Sequence, residues 1–254
     1  MKKFVSLFVL AGLVVLCAGT AFAAEGDYIL KDRQVYRVDG GKETLLEDEE
    51  SHWAGTDAGI WAMILVDPEL SEEMKGSEAG IYFFRGEEAK PAGFLPMKNA
   101  GTCALEFSPS GEKVLISCGS DTKRELGFYL IEDGGRRFVK KASFPSLGRF
   151  FWIDPHRFVF GNVDESKGPR MKEWTFRGNE GWWGSVAMYD TLESQLTVFE
   201  EATATSTRNF VVTGCDDESG TLEIWEHFVK DEKDWEDEGK IEERDFRIPI
   251  PAAG

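Results

Sequence analysis

Apolar and polar positions alternate in short runs along this chain, and the runs are cut by Gly, Asp, Asn and Pro turns. No long stretch carries an apolar period near 3.6, so the pattern predicts strands throughout and an all-β protein. Residues 101–118 show it most clearly. Ser108-Pro109-Ser110-Gly111 has turn chemistry, because Pro presets φ and Gly tolerates positive φ. Folding the chain about the Ser110–Gly111 bond sets Phe107 against Val114, Leu105 against Ile116 and Cys103 against Cys118. Strand side chains alternate with period two, so these six share one apolar face. Ala104, Glu106, Leu115 and Ser117 form a mixed opposite face.

One strand–turn–strand unit recurs. Val35-Tyr36-Arg37-Val38-Asp39-Gly40-Gly41 runs into Thr44-Leu45-Leu46, and Gly80-Ile81-Tyr82-Phe83-Phe84-Arg85-Gly86 into Gly93-Phe94-Leu95. Phe128-Tyr129-Leu130-Ile131-Glu132-Asp133-Gly134-Gly135 leads to Phe138-Val139, and Val186-Ala187-Met188-Tyr189-Asp190 to Leu196-Thr197-Val198-Phe199. The turns fall near residues 40, 86, 134 and 191, spaced 46, 48 and 57 apart. That is close to the period of a four-stranded propeller blade. A second hairpin sits between these units: residues 107–114 and residues 152–159 share the order aromatic, turn with Pro, basic residue, apolar strand. Residues 60–66 and 209–213 are expected strands of the corresponding hairpins.

The two second-type hairpins resemble the inner-strand motif of TolB-type β-propeller repeats. In that motif Phe-Ser-Pro-Asp-Gly, a basic residue and an apolar strand recur once per blade. Ser110 here replaces the Asp, and the copy at Trp152-Ile153-Asp154-Pro155-His156-Arg157 is degenerate. The resemblance covers mainly residues 101–200. It implies a propeller-like fold and no particular activity. About five blades of antiparallel strands are expected, over residues 26–50, 55–98, 101–146, 148–203 and 206–250. A β-sandwich is the structural alternative. Residues 67–78 read as an acidic loop, residues 230–245 as a charged surface helix or long hairpin, and residues 246–251 as an edge strand blunted by Pro249 and Pro251.

The start of the chain changes the picture of compartment. Met-Lys-Lys-Phe, an apolar run over residues 5–16 and Ala21-Phe22-Ala23 predict a signal peptide, 1–23, cleaved after Ala23. A single all-β propeller-like domain, 24–254, then follows, periplasmic or secreted. With 46 acidic against 29 basic residues the net charge is −17, which argues against nucleic acid and anionic membranes as partners. No later run is apolar enough for a membrane span. In an oxidising compartment Cys103 and Cys118, opposed across the hairpin, are expected to form a disulfide, with Cys215 left over.

Catalytic signatures are missing. The sequence has no Gly-x-Ser-x-Gly elbow, no Cys beside a His, no His-Glu-x-x-His and no Cys-x-x-Cys. No pattern asks for a cofactor or a metal. His52, His156 and His227 read as structural or exposed. Carboxylates are too many for one pair to stand out, although Asp164 and Glu165 flank a Gly-Pro loop. Trp182 and Trp183, near Trp174, remain as a stacking platform for a sugar or peptide. Neighbouring strand residues face opposite ways, so one of the two is expected in the core. The chain therefore reads as an exported, non-catalytic binding or scaffold protein with a protein, peptide or glycan partner. The alternative is an enzyme acting on envelope glycans or peptides with carboxylates near Trp182 and Trp183.

Overall fold

The computed structural model describes residues 27–31, 34–45, 51–55, 60–65, 80–85, 92–97, 103–120, 123–165, 182–216 and 219–251. Residues 1–23, expected to be a signal peptide, the acidic residues 67–78 and Trp174 lie outside them. Among the described residues every long element is a strand. β1 (Asp27–Lys31), β2 (Gln34–Asp39) and β3 (Lys42–Leu45) form one antiparallel sheet. β4 (Ser51–Gly55), β5 (Ile60–Leu65), β6 (Gly80–Arg85) and β7 (Gly93–Pro96) form a second. A seven-stranded sheet follows: β8 (Ala104–Phe107), β9 (Lys113–Ser120), β10 (Lys123–Glu132), β11 (Arg137–Trp152), β12 (Arg157–Val163), β13 (Gly184–Asp190) and β14 (Gln195–Val198). β15 (Arg208–Asp216), β16 (Thr221–Phe228) and β17 (Glu242–Pro249) make the last.

In each sheet the strands pair in chain order, so each is a meander. The seven-stranded sheet is two four-stranded meanders that share β11. Residues 137–146 of β11 pair with β10, and residues 146–152 with β12, with a register shift between Leu147 and Phe150. Gly148 sits in that shift with φ +67°, and a Cβ there would stand 2.8 Å from the Val211 side chain. A left-handed backbone pressed against β15 leaves room only for Gly. This kink turns one continuous strand from the outer edge of one meander into the first strand of the next.

The hydrophobic layers show how the meanders stack. Ile81 and Phe83 of β6 pack with Phe107, Val114, Ile116 and Tyr129. Leu115, Leu126 and Phe128 pack with Trp152, Phe158, Phe160, Ala187 and Tyr189. Val159, Val186 and Met188 pack with Phe210, Val212, Leu222, Ile224 and Ile248. Each layer lies between two successive meanders, and alternate residues of one strand enter opposite layers: Val114 and Ile116 one, Leu115 the other. A sandwich buries one face of each sheet and pairs strands distant in sequence. Here the middle meanders bury both faces and pair only with chain neighbours, which is the build of a propeller. For the same reason the face of the first hairpin expected to be mixed is covered on β9, where Leu115 and Ser117 are buried.

The hairpin closes about the expected line. Leu105 faces Ile116, Phe107 faces Val114, and the sulfurs of Cys103 and Cys118 are bonded, with Cα atoms 4.1 Å apart. The Met97 thioether rests on both sulfurs, 3.4 and 2.9 Å away. Gly111, at φ +70°, donates its N–H to the Ser108 carbonyl, and Lys113 donates to the Ser108 hydroxyl. Cys215 lies half-buried on β15, opposite Leu222.

The basic residue after each such turn reaches the next meander. Lys113 Nζ donates to the Pro155 carbonyl at 2.7 Å and to the Thr191 hydroxyl at 3.1 Å. Buried Arg157 donates from Nη1 to the Pro251 carbonyl at 2.6 Å. Both therefore link adjacent meanders, a role that explains a cation at that place in the motif. Asp154 organises the second turn. Its carboxylate accepts from the backbone N–H groups of His156 and Arg157 and from Arg157 Nε at 2.6 Å. Burial works to raise the Asp154 carboxyl, but these donors outweigh it and hold it below its usual range. A carboxyl lowered by folding stabilises the protein above its unfolded pKa, near 4, and loses that contribution as pH falls through the folded value. Asp154→Asn is expected to lower stability at neutral pH and to flatten the acid limb of a stability–pH curve below about pH 4, as read by urea unfolding.

Candidate functional site

Because the strands alternate in direction, β9, β12 and β15 in the last three meanders do not all start at one end. β9 and β12 finish where β10 and β13 begin, and β15 begins there too. The contact that fixes this is Gly184 N–H donating to Asn209 Oδ1 at 2.6 Å, which sets the start of β15 beside the start of β13. The connection between β12 and β13 and the acidic connection between β16 and β17 both leave from this end. The turns around Pro109 and Pro155 lie at the other.

Two shallow, open concavities mark the loop-bearing end. The first, about 420 Å³, is lined by Arg124, Glu125, Ser143, Pro145 and Glu165 among others. The second, about 390 Å³, takes in Asn162, Asp164, Glu165, Ser185 and Thr203. Pro145 and Glu165 line both, so they form the ridge between them. Glu125 accepts from the Ser143 hydroxyl at 2.6 Å and pairs with Lys140. The Lys140 hydrogen bond, with that of Ser143, holds the Glu125 carboxyl below its ordinary range, and the same contact raises Lys140. Glu125 is thus an ionised acceptor, not a proton donor, near neutral pH. The buried Ser185 hydroxyl accepts from Ala204 N–H at 2.8 Å, tying the second concavity to the chain that leads into β15.

Of the residues singled out in the sequence, Asp164 and Glu165 line these concavities. Trp182 and Trp183 precede β13 at the same end, where Asp164 N–H donates to the Trp183 carbonyl at 3.2 Å. Trp183 is buried and Trp182 half-buried, and neither lines either concavity. Trp174 falls outside the described residues. Arg124, Glu125, Ser143, Ser185 and Thr203 had no signal in the sequence, since only the β10–β11 and β12–β13 pairing brings them together. His156 is exposed, 3.1 Å from Lys113 Nζ, and His227 is buried on β16 beside Trp225. Among the described residues no three His, Cys, Asp or Glu gather as metal ligands would.

No protein-family model matches the sequence, and no curated protein is similar to it. Solved structures do resemble the fold. TolB from Acinetobacter baumannii aligns at 14% identity over 81% of this chain and 47% of its own, with a TM-score of 0.41. The β-propeller domain of the Trilobed protease from Pyrococcus furiosus, described with an open velcro topology, aligns at 10% identity over 89% of this chain and 69% of its own, TM-score 0.44. The periplasmic gluconolactonase PpgL of Pseudomonas aeruginosa aligns at 12% over 86% of this chain and 66% of its own, TM-score 0.37. The chain spans about half the length of TolB. TolB and other β-propeller proteins are thus among its structural neighbours, while the strand order and the layers between meanders carry the fold assignment. No helix among the described residues is long and apolar enough to cross a membrane.

The acidic connection is the long loop of a hairpin, since β16 and β17 pair antiparallel from Phe228↔Glu242 onward, and it is not a regular surface helix. It forms two short 3₁₀ helices, Glu232–Glu236 and Glu238–Lys240, before β17 begins at Glu242. Trp235 pins it: the side chain is buried and its Nε1 donates to the Ser206 carbonyl at 2.8 Å. Asp231 and Asp237 cap the two turns through Lys233 and Gly239 N–H.

Proposed function

We propose that the protein is an exported, non-catalytic binding or scaffold protein whose ligand face is the loop-bearing end at Asp164 and Glu165. In this reading a signal peptide, 1–23, is removed, and residues 24–254 form one domain whose meanders are about five blades of a ring. The observation that carries it is the pair of adjoining concavities, wide, shallow and of mixed polar and apolar lining, with fixed acceptors at Glu125 and Ser185. Such a surface suits a protein, peptide or glycan partner better than an enclosed small molecule. The Cys103–Cys118 disulfide supports an oxidising compartment. In this reading Trp182, half-buried just before β13, extends the same face as a stacking platform. Pull-down from an envelope extract tests the idea, comparing wild type with an Asp164→Arg, Glu165→Arg double variant. A partner retained by wild type and lost by the variant is expected; one retained equally by both would move the binding face elsewhere.

The enzyme alternative has one observation in its favour: Glu125 and Glu165 line one concavity. With Glu125 ionised, Glu165 would have to supply the proton. Hydrolysis of envelope glycans or peptides that vanishes in Glu165→Gln would establish it.

A further inference from the structure

A charged cluster lies at the loop-bearing end of the last sheet, apart from the concavities. Glu226, near the end of β16, is 1% exposed. Two arginines straddle it. Arg208, at the start of β15, donates from Nε to Oε1, and Arg244, opposite Glu226 on β17, donates from Nε to Oε2. Each guanidinium spends only its Nε on the glutamate, which leaves the Nη groups of both without a partner among the described residues. The side chains remain 37% and 57% exposed. Aromatic rings hold the planes: Arg208 lies over Phe210 at 4.8 Å, and Arg244 over Phe228 and Phe246 at 5.8 and 5.5 Å.

A buried carboxylate needs one cation to neutralise it. This one has two, so the cluster keeps one positive charge in a protein of net charge −17. We propose that the Arg208–Glu226–Arg244 cluster is a binding site for a carboxylate, such as the C-terminal group of a peptide. The fork geometry supports this. The inner edges already hold one carboxylate, one oxygen per arginine, and the outer Nη edges offer donors to a second. Charge favours the same ligand. A monoanion brings the cluster to neutrality, whereas a phosphate dianion would leave excess negative charge beside Glu226. The site does not depend on the proposed function of the concavities, and it gives the same end of the molecule a cationic anchor.

The test follows the arginine side-chain ¹⁵N resonances of the full chain at constant ionic strength. The probes are N-acetyl-trialanine with a free C-terminus, the same peptide amidated, and inorganic phosphate. The expected result is a saturable shift of the Arg208 and Arg244 signals with the free acid, and binding weaker by about ten-fold or more for the amide. Arg244→Gln is expected to weaken the free acid by about ten-fold, and Arg244→Lys by less, because a point charge replaces a fork. Arg244 is mostly exposed and Arg208 still neutralises Glu226 in these variants, so an unchanged near-UV circular dichroism spectrum accompanies the loss. No saturable shift with the free acid, equal binding of the amide, tighter binding of phosphate, or full binding by Arg244→Gln would each overturn the proposal.

Discussion

Phe158→Ala is expected to destabilise the protein by about 3–5 kcal/mol, the cost of emptying a well-packed aromatic site. Phe158 has no exposed surface. Its ring meets Trp152 at 5.3 Å, Tyr189 at 5.4 Å, Phe160 at 5.8 Å, Phe128 at 5.9 Å and Phe144 at 6.1 Å. Those rings come from β10, β11, β12 and β13, so a single side chain joins both meanders that share β11. Removing it deletes buried apolar area and leaves a void that stiff neighbouring strands cannot close. Leu192→Ala is the matched control. Leu192 is 68% exposed in the turn after β13, and its loss is expected to change stability by no more than about 0.5 kcal/mol. Urea unfolding of both variants reads the difference.

Reducing the Cys103–Cys118 bond is expected to cost about 3 kcal/mol in the chain-entropy account, for 15 residues of separation. In a chain of this length that corresponds to a fall in Tm of roughly 6–12 °C. The bond closes the hairpin on the layer shared by β6, β8, β9 and β10, so its loss also frees Cys103 and Met97 at the edge of that layer. A melt with and without reductant measures the effect, and Cys103→Ser, Cys118→Ser should reproduce the reduced value.

The fold was legible where local chemistry sets it. Turn residues at Gly40, Ser110-Gly111 and Gly134, with period-two alternation beside them, fixed the hairpins and the register of Cys103 on Cys118. The motif at residues 107–114 pointed to a propeller because its basic residue has a spatial duty: Lys113 reaches Pro155 of the next meander. The sharing of β11 was less visible. Nothing in the alternation of residues 137–152 marks Gly148 as the hinge until β15 is known to press on it. The functional end was legible only in part. Asp164 and Glu165 announced themselves beside a Gly-Pro loop, but Glu125 and Ser143 are brought together by β10–β11 pairing across 18 residues. Nothing in the sequence separates Glu226 from the other acidic residues of a chain that has 46 of them. Its burial between Arg208 and Arg244 depends on a three-strand register that single-residue patterns do not carry.

The layered stack of meanders depends on the β8–β9 register, since a slip of one residue would send Phe107, Val114 and Ile116 into the wrong layer. Mass mapping of peptides from the non-reduced protein measures that register through its sulfurs. The account predicts one cross-linked pair, carrying Cys103 and Cys118. A peptide joining Cys215 to either of them would contradict it.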